Sequence, residues 1–140
     1  MQEIITNVGT LQYNETINSY EGKIKDNLDN EIEFSIDTDN NIDELIDYTR
    51  QLLKKYLNSD SELKLYAASQ LLDIYNDVWN ETDIKITESE FASKMILEGI
   101  TIFSDRNTTF YYHDGDLFYG HSITIYLDEN GNLESAQIEG

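Results

Sequence analysis

The 140-residue sequence has no cysteine, no proline, only 9 Lys and Arg against 28 Asp and Glu, and 2 histidines. Each shortage excludes something. Without cysteine there is no disulfide, no thiolate nucleophile, no cysteine-ligated zinc and no iron–sulfur cluster. A formal net charge of −19 repels nucleic-acid backbones and anionic lipid, because binding to either draws on clusters of Lys and Arg. The glycines form no G-x-G pair, and there is neither a phosphate-cradling loop nor a G-x-S-x-G elbow. Residues 1–15 lack the basic start and apolar stretch of a secretory signal, and no run is apolar for long enough to span a bilayer. The expectation is a cytoplasmic protein with no nucleic-acid or membrane partner and no cofactor.

What is present argues for a folded chain. A hydrophobic content of 39% and an aromatic content of 11% are too rich for disorder in spite of the charge. The acid excess is spread through residues 1–58, 59–99 and 100–140 alike, so no acidic tail accounts for it, and one domain over residues 1–140 is expected. Glu31 to Asp37 alternates strictly, with Ile32, Phe34 and Ile36 on one side, which predicts a half-wet antiparallel strand. Its partner is Tyr20 to Lys25, reached through the turn formers Asp26-Asn27-Leu28-Asp29-Asn30.

The period then changes to that of helices. Ile42, Leu45, Ile46, Thr49, Leu52, Leu53, Tyr56 and Leu57 share a face, with Asn41 and Glu44 placed as a capping box. A second helix starts near Ser59 or Asp60 and runs to Trp79. The third has Thr87 as its cap, Glu90 closing the box and Ile86 as a staple for Phe91. Strands return at Leu97–Phe103, Thr108–His113, Leu117–Leu127 and Leu133–Ile138, separated by turn-rich segments. The fold expected is α+β, an antiparallel sheet made of the N-terminal hairpin plus the C-terminal strands, with three mid-chain helices on one face.

Both histidines lie in Tyr111–His121, so any histidine chemistry must happen there. Asp114-Gly115 between apolar runs predicts a two-residue hairpin loop, which would pair His113 with Asp116. Tyr111, His113, Asp116, Phe118 and Tyr126 would then share one face, with His121 on the other beside Ile123 and Ile125, so the two histidines would not meet on one metal. Tyr111, His113, Asp114, Asp116, Phe118 and Tyr126 are the candidate partner-binding set. No catalytic residue and no metal ligand is assigned. Asp37, Asp39, Asn41 and Asp43 imitate the start of a calcium loop, but Ile42 and Tyr48 stand where a glycine and a bidentate glutamate are required.

Leu72-x3-Asn76-x2-Trp79, Ile86-Thr87-x2-Glu90-Phe91-x3-Met95, the stretch Asp114 to Ile123 spelling D-G-D-x-F-x-G-H-x-I, and Ala136-x-Ile138-Glu139-Gly140 together resemble a bacterial family known only as a domain of unknown function. The resemblance covers nearly the whole chain. It implies a small single-domain bacterial protein and carries over no catalytic or binding residue. The functional expectation therefore comes from charge: a non-enzymatic acidic module, of the immunity or inhibitor type, that meets a basic protein partner. The rival expectation is a small-molecule or metal site with hydrolytic chemistry around His113–Asp116.

Overall fold

The computed structural model describes residues 3–6, 9–26, 28–37, 42–57 and 59–140. Asn27, Asp39 and Asn41 lie outside them, and with them one turn residue, two of the calcium-loop imitators and the expected cap of the first helix. Eight described strands form one sheet in the order of the sequence: β1 (Glu3–Thr6), β2 (Gly9–Asn14), β3 (Ser19–Lys25), β4 (Glu31–Asp37), β5 (Ile96–Phe103), β6 (Thr108–His113), β7 (Ser122–Leu127) and β8 (Leu133–Glu139). The sheet is larger than expected, because β1 and β2 come from the N-terminal segment that carries little alternation. Between β4 and β5 run α1 (Ile42–Tyr56), α2 (Ser61–Ile74), a π-helical extension (Tyr75–Trp79) and the short α3 (Glu88–Ser93).

Every pairing is antiparallel except β4 with β5. The wholly antiparallel expectation fails at this seam for a simple reason: a crossover through helices returns the chain to the end where it started, so the next strand runs parallel. The molecule is thus two four-stranded meanders zipped along one parallel seam.

Pairing carries one apolar row from strand to strand: Leu11, Gly22, Phe34, Ile100, Phe110, Ile125 and Ala136. All three helices join the hydrophobic cluster built on this side, for instance through Leu52, Leu63 and Phe91, and Tyr56 meets Phe110 edge to face at 5.7 Å. The opposite side carries the row Gln12, Glu21, Ser35, Thr101, Thr109, Tyr126 and Ser135. None of its residues belongs to the cluster.

Local signals explain the helices. In α3 the Thr87 hydroxyl accepts from the Glu90 N–H while the Glu90 carboxylate accepts from the Thr87 N–H, both at 3.2 Å, satisfying two orphan donors reciprocally. The π-helical turn closes with an Asn80 N–H to Tyr75 C=O bond of 2.8 Å. Asn76 then fastens the following segment, donating to the Ile86 carbonyl and accepting from the Ile86 N–H, both at 3.1 Å.

Candidate functional site

The chain between β6 and β7 is an eight-residue loop, Asp114–His121. His113 pairs with Ser122, six residues later than a two-residue turn would allow. Two primed-type turns follow one another here, each with positive φ at both central residues: Gly115 and Asp116 at 61° and 66°, then Tyr119 and Gly120 at 58° and 90°. The Asp114 carboxylate holds them together. Fully buried, it accepts the N–H groups of Asp116, Phe118 and Gly120 at 2.9, 2.8 and 3.1 Å. Gly115 is obligatory for a second reason, since a Cβ there would sit 2.3 Å from the Lys94 carbonyl oxygen.

Apolar residues plug the loop into the helices. Phe118 is completely buried among Trp79, Tyr75 and Phe91, with ring centroids at 5.3, 5.7 and 5.9 Å. Tyr119 lies against Trp79 and donates its hydroxyl to Glu81 at 2.8 Å, which with burial raises its pKa. His121, half-buried rather than a strand residue, meets the Trp79 ring at 5.6 Å and donates from Nδ1 to the Phe118 carbonyl.

This geometry divides the candidate set. Phe118 and Asp114 are enclosed, so neither forms part of an accessible face; the loop drives Phe118 inward where a strand would have set it beside Tyr111, and buries the acid expected in an open turn. Tyr111, His113 and Tyr126 do lie on the helix-free side, because a shift of six residues is even and leaves every β6 and β7 side chain on its expected face. Asp116 is exposed in the first turn. One ligand atom from each of His113, Asp114 and Asp116 falls within 4.8 Å of the others. However, His113 Nδ1 accepts the Gly115 N–H at 3.0 Å and the Asp114 oxygens take three more, so these acceptors are occupied by the loop's own backbone.

The helix-free side offers more to a ligand. Half-buried Tyr126 donates to Glu139; this bond first, then burial and the nearby carboxylate charge, push its pKa up to about 12. Across the β4–β5 seam the Ser35 and Thr101 hydroxyls pair at 3.0 Å. Next to them a depression of about 180 Å³ opens over Gly99, bounded by Glu21, Glu33, Ser35, Thr101 and Tyr111. A larger cleft of about 710 Å³ lies at the amino ends of β4 and β5. Both lysines lining it are paired: Lys23 with Glu31 at 3.5 Å, Lys64 with Asp60 at 3.8 Å. Asp60 also accepts the hydroxyl of Tyr112 at 2.7 Å, and burial together with that carboxylate raises the Tyr112 pKa, so the hydroxyl remains a donor.

With this geometry in view, comparison with known families decides one point. Residues 6–138 match the bacterial family DUF2262, described as an uncharacterized protein conserved in bacteria. The chain belongs to that family. No curated protein and no solved structure matches it. For this DUF2262 member the D-G-D stretch has a physical explanation in loop architecture: an acid to gather N–H groups, a glycine pressed against Lys94, and a positive-φ residue. No helix among the described residues is long and apolar enough to cross a membrane.

Sequence reasoning assigned no site role to Glu21, Glu33, Gly99 or Tyr119. For Glu33 and Gly99 a signal existed. Strict alternation of β4 already places Glu33 and Ser35 opposite its apolar face, and a glycine inside a strand flags a place where something approaches the backbone.

Proposed function

We propose that this chain is a non-enzymatic, cytoplasmic interaction protein, of the immunity or inhibitor type, that docks a basic protein partner on the helix-free side of its sheet. One observation supports this reading above others: Tyr111 and Tyr126 stand half-buried on that side, in company with the carboxylates of Glu21, Glu33 and Glu139. Tyrosines supply large rigid contact area, and complementary charge accelerates encounter and rejects acidic competitors. The test is affinity capture from native bacterial extract at low and high salt, using the intact chain and the Glu21→Lys/Glu33→Lys double variant. The reading predicts a basic protein retained at low salt by the former and lost by the latter. Recovery of no basic protein, or capture indifferent to the charge reversal, overturns it.

The proximity of His113, Asp114 and Asp116 favours a metal site as the second reading. It is tested by thermal melting with Mg, Mn, Ca, Zn and Ni. An ion held 100-fold above its Kd would stabilise by about 2.7 kcal/mol. A shift with one ion that Asp116→Asn abolishes supports this second reading, and no shift with any of the five overturns it.

A further inference from the structure

We infer that the depression over Gly99 is a socket for one arginine side chain of the docked partner, an inference that rests on the helix-free side being the docking surface. Two features point to a planar cation. The ring of Tyr111 borders the hollow, and guanidinium groups stack on aromatic faces. Two carboxylates flank it: Glu33 lies 3.9 Å from Lys23 on the exposed surface, and Glu21 accepts the Asn14 amide at 2.9 Å. Both retain acceptor capacity suited to the fork of an arginine.

The hollow exists because position 99 has no side chain. A Cβ built there meets the Tyr111 ring at 3.5 Å and Glu33 atoms at 3.6 and 3.8 Å, all ordinary contacts. An alanine would therefore be accepted by the fold, and any longer side chain would have to enter the hollow. This separates Gly99 from Gly22, where a Cβ would fall 2.4 Å from the Thr10 carbonyl oxygen. Absence of a side chain at 99 is not imposed by packing, whereas at 22 it is.

The test uses the full-length protein in an NMR titration with a capped Gly-Arg-Gly peptide and its lysine and citrulline counterparts. Shift changes should concentrate at Gly99, Thr101 and Tyr111, in the order arginine above lysine, with citrulline silent. Gly99→Leu should lose at least tenfold in arginine-peptide affinity, Gly99→Ala should show no fall in Tm, and Glu33→Gln should weaken binding in the same direction as Gly99→Leu. No shifts, shifts scattered over carboxylates everywhere, equal response to citrulline or lysine, or undiminished binding by Gly99→Leu would overturn the socket. The two ideas fail separately. If a basic partner is captured equally by the intact chain and Gly99→Leu, the socket falls and the docking surface stands; if no basic partner is captured, the docking surface falls whatever the peptide does.

Discussion

Asp114 and Glu33 carry the same functional group and use it in opposite ways. Asp114 is sealed from solvent and surrounded by three backbone donors, so its charge is spent on holding two turns. Glu33 stands on an exposed face with one loose lysine contact. The difference teaches that carboxylate chemistry concentrated beside a histidine can be wholly architectural, while a plain alternating strand presents an acid with acceptor capacity left over. The loop Asp114–His121 is a closed region; the surface above β4–β6 is an open one.

That contrast can be broken by substitution. Asp114→Ala leaves the N–H groups of Asp116, Phe118 and Gly120 without their acceptor, and at about 1.5 kcal/mol for each bond to a charged group it should cost about 4.5 kcal/mol in urea unfolding. A loss below about 1 kcal/mol would show that the loop does not depend on its acid. Gly115→Ala combines positive φ with collision against the Lys94 backbone. It should cost about 3 kcal/mol, seen as a lowered Tm. On the open side the sign reverses: Gly99→Ala relieves the entropic penalty of a strand glycine and should stabilise by about 0.5–1 kcal/mol. A protein that gains stability there while losing its partner would place Gly99 among residues kept for recognition.

Tyr126 supplies an effect confined to alkaline pH. Its folded pKa is raised to about 12 by Glu139, against about 10 unfolded. The folded state thus holds the proton more tightly, so this contribution is complete below about pH 10 and is lost as pH climbs towards 12. Tyr126→Phe should flatten the decline of stability across that window, and phenolate absorbance should show one tyrosine fewer titrating late. An unchanged slope would mean the hydroxyl bond does not persist in solution.

Much of the fold was legible because buried faces enforce periodicity. Ile32, Phe34 and Ile36 announce β4, and Thr87 with Glu90 announces α3, since in each case a local physical demand fixes the residue types. The expected face of Tyr111, His113 and Tyr126 agrees with the structure although the turn lies elsewhere, because side-chain direction depends only on parity. Phe118 was misread for an instructive reason. Leu117, Phe118 and Tyr119 look like a continuing strand, and nothing in period two distinguishes alternation along a sheet from a compact loop that drives an aromatic ring into a helical pocket. The β4–β5 seam and the hollow over Gly99 were illegible in a deeper sense, because each needs residues far apart in sequence to be neighbours in space.

That separation has a consequence for how the surface is made. Ser35 and Thr101, hydrogen-bonded across the seam, are 66 positions apart, whereas the pairings inside each meander close only short loops. Local ribbons of this kind zip early and the distant junction closes late, since the entropy of a long loop must be overcome before its contacts form. A nascent or half-denatured chain would own both banks of the hollow and not the hollow itself. Any companion that reads it would therefore ignore unfinished copies and commit only to molecules whose two halves have already met.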